Sequence, residues 1–194
     1  IHFYLGGEKN PIEQIRKICG PKHNQLVLSH FDFDHYNFVQ SIHKRLPLCI
    51  LDAPKFPYQA RKAKWFQNLK QCKSSPKKLR KLFHNPKAKT KNASSLVHMY
   101  DEKIIFTGDS GKKEEKFWSK LIPKNILWIL SPHHGSNSSS SNELLARSEK
   151  AIFLMSSRKE KYGHPHLKVK QRFKNWKRKY LSTHDWGTII IEFN

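Results

Sequence analysis

Short apolar runs rich in β-branched residues recur along the chain, separated by stretches of helical periodicity. Positions 25–29, 48–51, 95–99, 103–106, 126–130, 151–155 and 188–193 read as strands. Asp101 and Glu102 sit between two of them and suit a hairpin turn. Positions 11–19 open on Pro11 and carry Ile12, Ile15 and Cys19 on one face, which predicts a helix. Positions 37–45 and 142–148 are shorter helical candidates, and 167–180 is the strongest amphipathic pattern. Its inner stripe is Val169, Phe173, Trp176 and Tyr180; its other face carries Lys168, Lys170, Arg172, Lys174, Lys177, Arg178 and Lys179. Strands alternating with helices predict an α/β fold with helices covering sheets. With 194 residues and no internal repeat or linker-like stretch, the chain is expected to form a single domain.

The polar residues with chemical potential fall just past predicted strands. Strand 25–29 runs into His30, Phe31, Asp32, Phe33, Asp34 and His35. Continued alternation would put His30, Asp32 and Asp34 on one side and the phenylalanines on the other. Imidazoles and carboxylates together suit zinc, manganese or iron, and two carboxylates lean toward a harder ion. Strand 103–106 leads into Thr107, Gly108 and Asp109, where the glycine permits close approach. Strand 126–130 leads into His133 and His134, and strand 151–155 into a loop that reaches His164 and His166. Four strands thus deliver His or Asp at a comparable position, a pattern that points to one assembled site.

Charge narrows the choice of partner. Lys and Arg number 37 against 15 Asp and Glu, a formal net charge of +22. Such a balance on a chain that is 37% hydrophobic fits a folded protein that meets a polyanion, either nucleic acid or an anionic membrane surface. The cations are unevenly spread: between Asp52 and Asp101 there are 13 Lys or Arg and no acid. Phe56, Tyr58, Trp65, Phe66 and Phe83 are interleaved with Lys62, Lys64 and their neighbours, a mixture suited to phosphates and unstacked bases together. The tract at about 53–91 is accordingly expected to be a basic, aromatic insertion; its bland alternative is a solvated segment docked by its rings. No apolar run approaches the ~20 residues of a membrane span, and residues from Ile1 onward lack a signal-peptide pattern. Cys19, Cys49 and Cys72 make an odd count without a CxxC spacing, so neither a disulfide framework nor a cysteine metal site is expected, and Cys49 is expected to be buried.

The order of motifs is more specific than any one of them. His30-x-Asp32-x-Asp34-His35 is followed by Asn92-x-x-Ser95-Leu96-Val97, then by the FTGDS run ending at Ser110. Pro132-His133-His134-Gly135-Ser136 and Tyr162-Gly163-His164-Pro165-His166 complete the series. This order resembles the metallo-β-lactamase-like nuclease domain of ComEC-type DNA-uptake proteins, from about residue 25 to the C-terminus. Asp32 stands where the wider superfamily has a second His, as in the ComEC-like variant. Tyr36 and Asn37 replace the usual glycine pair, and the family's opening strand has no counterpart. The resemblance implies an αββα sandwich lacking its first edge strand, with one or two divalent ions (Zn or Mn) between the sheet edges. It implies His30 and Asp32 at one ion, Asp34 and His35 at the other, and Asp109 between them. One of His133 and His134, and one of His164 and His166, would complete the shells or protonate the leaving oxygen; His134 and His164 are the assigned ligands.

The expected reaction is hydrolysis of a phosphodiester by metal-activated water, because a bound ion lowers the pKa of water from about 15.7 toward ~7. Asp34, Asp109, His133 and His134 are the candidate catalytic groups. Ser136, Ser138, His166, Lys62, Lys64 and Lys174 are the candidate substrate contacts. The expected substrate is DNA, single-stranded and without sequence preference, since no base-reading motif is present. Membrane-channel segments are the further partner if the chain is part of a ComEC-type protein, which would place it on the outer face of the cytoplasmic membrane. Otherwise it would be cytoplasmic or secreted. Two alternatives remain: a small-molecule hydrolase of the same fold, and an inactive nucleic-acid-binding module.

Overall fold

A computed structural model describes residues 1–3, 11–20, 24–55 and 61–192, with the side chains of 61–63 left aside. Two sheets and their helices account for the architecture, as the alternating pattern predicts.

The first sheet is parallel, in the order β1 (His2–Phe3), β2 (Asn24–Val27), β3 (Leu48–Asp52). Helices α1 (Ile12–Cys19), α2 (Phe33–Tyr36) and α3 (Val39–His43) belong to this half. Leu26, Leu48 and Ile50 from the strands pack against Ile12, Val39 and Ile42 from the helices. Phe66, from the 3-10 helix Arg61–Asn68, closes this cluster against Phe31 at a ring separation of 5.2 Å.

The second sheet has its strands in sequence order: β4 (Leu79–Phe83), β5 (Val97–Tyr100), β6 (Ile104–Phe106), β7 (Trp128–Leu130), β8 (Ile152–Met155) and β9 (Lys179–Ser182). The hairpin β4–β5–β6 is antiparallel, and from β6 onward neighbours are parallel. Connections after β6 run through α4 (Lys112–Trp118), α5 (Asn142–Arg147), α6 (Lys159–Tyr162) and α7 (Leu167–Asn175), with α8 (Thr183–Trp186) following β9. Alternation along β5 sends Val97 and Met99 into an apolar cluster with Trp118, Phe153 and Phe173. Fully burying side chains of this size contributes about 1.5–3 kcal/mol each.

Residues between the clusters tie the two sheets together. Phe3 stacks on Phe106 at 3.5 Å between ring centroids. His98, on the opposite face of β5 from Val97 and Met99, places Nε2 2.8 Å from the Asp52 carboxylate, which Lys81 also reaches at 2.8 Å. Leu96 donates its backbone N–H to the Ser29 carbonyl at 2.9 Å, joining the exit of β2 to the entry of β5.

Several expectations change. The helix expected over 167–180 stops at Asn175, because Lys177 takes a left-handed backbone (φ 51°) and the chain returns as β9. Tyr180 therefore meets Phe173 from a strand, edge to face at 5.4 Å, and Trp176 is 37% exposed at the helix end. No strand forms over 188–192; 193 lies outside the described residues, as do Phe56 and Tyr58. The tract at 53–91 supplies β4, whose Arg80 and Lys81 mask the strand pattern because they point to solvent. Helix α4 carries no such pattern in the sequence, since five of its seven residues are charged.

The cysteine reading is corrected as well. Cys49 is only partly buried, and it forms a disulfide with Cys72 while Cys19 stays free. The bond fastens the basic tract to β3, beside the backbone bonds of Ile50 with Lys70 and Cys72. A cross-link spanning 23 residues restricts the unfolded chain and is worth about 3 kcal/mol. Reduction, or Cys72→Ser, should lower unfolding free energy by about that amount in urea titrations. Equal stability of oxidised and reduced protein would contradict the cross-link.

Candidate metal centre

The site forms where the ends of β2, β6, β7 and β8 converge. Past β2 the chain leaves strand geometry, so the expected alternation of His30, Asp32 and Asp34 does not continue. Asp32 instead occupies the N-cap position of α2, with Asp34 and His35 inside that helical turn. Phe31 enters the core, but Phe33 is 57% exposed, contrary to the alternating picture. Past β6, Gly108 has φ +55° and lies so close to Ser29 that an added Cβ would sit 2.7 Å from its Cβ. Only glycine allows this approach, and the approach brings Asp109 beside His30 and His35. Past β7, His133 and His134 both adopt left-handed backbone (φ 48° and 54°), a costly conformation for non-glycine residues. The turn aims both rings at Asp109, at 3.5 and 3.6 Å.

Asp109 lies at the centre, and its two oxygens face different neighbours. Oδ1 is 3.2 Å from His35 Nε2 and 3.6 Å from His134 Nε2. Asp34 Oδ2 completes that side at 3.5 Å from His134 Nε2. Oδ2 is 3.6 Å from His30 Nε2 and 3.5 Å from His133 Nε2, and Asp32 Oδ2 lies 3.4 Å from His30 Nε2. Among the described residues, two groups have ligand atoms close enough together for one ion: His30, His35 and Asp109, and Asp34, His35 and His134. His30 and Asp109 are deeply buried, yet His30 Nε2 and Asp109 Oδ1 have no hydrogen-bond partner. Orphaned buried acceptors are expensive, and these two point into the same cluster. A divalent cation would satisfy both, so the residues fit a metal.

The far sides of the rings are held as ligands require. Ser29 Oγ lies 2.9 Å from His30 Nδ1 and 3.2 Å from His35 Nδ1. His134 Nδ1 donates to the Ser156 carbonyl at 2.8 Å, leaving Nε2 for the cluster. His133 differs: its Nε2 faces the Asn92 amide at 3.3 Å and its Nδ1 faces Ser138 Oγ at 3.2 Å. Within the His133/His134 pair, His134 is therefore the one with ligand geometry.

The protonation states follow from this crowding. Burial works to raise Asp109, but the imidazoles of His35, His134 and His30 hold its carboxyl far below the ordinary range. The His30 ring, with help from Lys91, holds Asp32 at about 2. Burial would lower His134, but the facing Asp34 and the charge of Asp109 outweigh it and raise the ring to about 9. Without metal the acidic cluster thus keeps a proton on His134 where a cation would otherwise sit.

The remaining expected residues divide. His164 approaches His133 at 6.2 Å between rings, and its Nδ1 is buried without a hydrogen-bond partner. His166 instead caps α7, accepting from Lys168 N–H at 3.1 Å, so it is not part of the centre. Ser138 touches His133 directly and Ser136 reaches Ser138 at 3.0 Å. Lys64 is exposed on the 3-10 helix, and the Lys62 side chain lies outside the described residues. Lys174 is exposed on α7, two residues beyond Arg172 and so on another side of the helix. Ser29, Lys91 and Asn92 carry contacts that the ligand motifs do not announce; Asn92 opens the quoted Asn92-x-x-Ser95 motif, and for Ser29 the only sequence signal is its place before His30.

A buried carboxylate supports the serine loop. Glu115 of α4 accepts from the Ser140 and Ser141 amides at 2.7 and 2.6 Å, at the start of α5. Arg172, expected to face an anion, turns inward and donates to the carbonyls of Ser139 (2.8 Å) and Ser140 (2.9 Å) and to the Asn137 side chain. Arg178 likewise donates to the Leu145 carbonyl at 2.7 Å. The loop that holds Ser138 against His133 is thus pinned from two sides.

No family model matches this chain. Recombination protein 2 of Haemophilus influenzae (strain ATCC 51907 / DSM 11121 / KW20 / Rd) is 28% identical to it over 184 residues, covering 87% of the chain. The chain spans 22% of that relative's length.

Burial pushes the Glu115 carboxyl up to about 7, against the pull of the Ser140 and Ser141 amides and Arg172. A group raised in the folded state contributes stability fully present below its unfolded value, near 4.5, and lost as pH rises through about 7. The loss amounts to about 3 kcal/mol at most. Urea unfolding at about pH 5 and about pH 8 should show that decline in the parent protein and a flatter profile in Glu115→Gln. Identical pH profiles for the two proteins would exclude Glu115 as its source.

Proposed function

We propose that this chain is a metallo-β-lactamase-like αββα domain that hydrolyses phosphodiester bonds in DNA with divalent metal, as in ComEC-type proteins. The observation that carries this reading is the pair of orphaned buried atoms, His30 Nε2 and Asp109 Oδ1, inside a cluster of six imidazole and carboxylate side chains. Three carboxylates packed this closely among imidazoles call for more positive charge than the rings supply. His30, Asp32 and Asp109 would hold one ion and Asp34, His35, His134 and Asp109 another. Zn or Mn suits this donor set.

A divalent ion held by these residues would supply positive charge for the phosphate oxygens and a lower pKa for water, toward ~7. The protein's own groups do the rest. Asp34, the most exposed of the carboxylates in the cluster, orients the attacking water by accepting a hydrogen bond from it. His133 is free of the ligand geometry and is oriented by Asn92 and Ser138, so it hands a proton to the leaving oxygen. Ser138 and Ser136, linked at 3.0 Å, offer hydroxyls to the phosphate.

A charge of +22 favours a polyanionic substrate over a small neutral one. The relative's name, a recombination protein, agrees with a nucleic-acid substrate. The Cys49–Cys72 bond supports an oxidising compartment, and so the outer face of the membrane over the cytoplasm. No described helix is long and apolar enough to cross a membrane; membrane-channel partners would have to come from elsewhere in a larger protein.

The test is cleavage of labelled single- and double-stranded DNA after chelation and re-addition of Mn²⁺, Zn²⁺ or Mg²⁺. Cutting should return with one of these ions and fall by about 10³-fold or more in Asp109→Asn and in Asp34→Ala. DNA binding without cutting under any ion would overturn the hydrolase reading in favour of a binding module. Turnover of a small diester with no effect of DNA or salt would favour a small-molecule hydrolase.

A further inference from the structure

The long basic tract and the seven cations at the α7 end leave open which cations meet the substrate. Most are spoken for or badly placed: Arg172 and Arg178 bind backbone carbonyls, Lys81 binds Asp52, and Lys78 binds Asp101. One group is different. A cleft of about 630 Å³ is lined by Lys87, Lys89, Lys112 and Lys113, and it opens on Ser138. Lys112 and Lys113 also form a wall of a second cleft of about 290 Å³, which Lys116 and Glu143 line as well, so the furrow follows the first cleft along the start of α4. Glu114 belongs to the same wall, but its carboxylate is turned back to accept the Gly111 N–H at 3.0 Å.

The furrow is tied to the metal centre at one end. Lys112 N–H donates to the Ser138 carbonyl at 2.9 Å, and Ser138 Oγ contacts His133. The loop carrying Lys87 and Lys89 continues into Lys91, which reaches Asp32 at 3.0 Å, and Asn92, which reaches His133. An exposed aromatic ring lies one turn further along α4. Phe117, four residues after Lys113 and so on the same face of α4, is 62% exposed and stacks in part on Phe83 of β4 at 6.0 Å. Exposed cations beside an exposed ring suit a strand whose bases are free to stack.

Building on the hydrolase reading above, we propose that this furrow binds the phosphate backbone of single-stranded nucleic acid through Lys87, Lys89, Lys112 and Lys113. Phe117 stacks a base, and Ser138 and His133 mark where the strand enters the metal centre. The outward lysines of α7, Lys174 among them, lie outside this path.

Fluorescence anisotropy of the metal-free protein with labelled single strands and with duplex of equal length tests the furrow independently of catalysis. Lys87→Glu/Lys89→Glu/Lys113→Glu should weaken single-strand binding more than about tenfold and flatten the salt dependence by about 1 in log–log slope per lysine. The Lys→Gln series should show a smaller loss in the same order. A control with the same charge change, Lys17→Glu/Lys44→Glu/Lys70→Glu, should lose much less. Phe117→Ala should weaken single strands about tenfold and duplex less. Equal loss in the control, preference for duplex, or no binding by the parent protein would overturn the furrow. Hydrolysis of bis(p-nitrophenyl) phosphate with metal should be unchanged in the furrow variants. Furrow-dependent binding in a protein that never hydrolyses this diester would sink the hydrolase reading and leave the binding surface standing.

Discussion

A carboxylate that is almost wholly buried among imidazoles cannot be left without positive charge nearby, and Asp109 imposes that demand on the whole chain. Its ionised form is favoured by His30, His35 and His134 despite the cost of burial. Meeting the demand requires three separate backbone devices. Gly108 lets the β6 exit press against Ser29, two successive left-handed residues turn His133 and His134 toward it, and the α2 turn presents His35. Each device is locally unfavourable or permissive, and the sheets on either side hold it in place. Strain concentrated at the ends of well-packed strands is the usual physical mark of a working site.

The support behind the site is built on charge as well. Glu115 and Arg172 are both drawn away from solvent, and both are spent on the backbone of the serine loop between Ser139 and Ser141. That explains why a helix face carrying so many cations does not all point to an anion. Arg172 satisfies carbonyls that would otherwise be buried without donors, a task for which its planar fork is suited. In the proposed reading, the loop's stiffness matters because Ser138 fixes one ring nitrogen of His133 while Asn92 fixes the other.

Strands β2, β3, β5, β6, β7 and β8 and the four tracts of His and Asp that follow strands are legible in the sequence, because apolar runs ending in His or Asp combine a strong period with a rare composition. What stays hidden has identifiable physical causes. β4 is obscured by Arg80 and Lys81, which are exposed on opposite faces of an edge strand; α4 is obscured by KKEE at its start, where Glu114 caps the helix and Glu115 is buried against the serine loop. The break in the helix expected over 167–180 turns on one left-handed lysine, a conformation that side-chain pattern does not encode. The disulfide was missed because an odd cysteine count and a 23-residue separation give no spacing signal; only the fold brings Cys49 and Cys72 together. The choice between His133 and His134 was equally beyond sequence, since adjacent residues of one type are distinguished only by what holds their far nitrogens.

Charge illustrates the same limit most clearly. A total of +22 speaks to association with a polyanion but not to where it binds. Among the described residues, Lys87, Lys89, Lys112 and Lys113 share a concave surface with Ser138, at the edge of the candidate metal centre. Concavity matters because low-dielectric walls concentrate the field of a few lysines along a path, whereas the same number scattered on a convex helix face is screened within about 10 Å. The α7 lysines are the more conspicuous in sequence, and the furrow lysines are the better placed. A cation's contribution to guiding a strand therefore depends on the shape of the surface it belongs to, which emerges only when the loop before β5 and the start of α4 meet at Ser138.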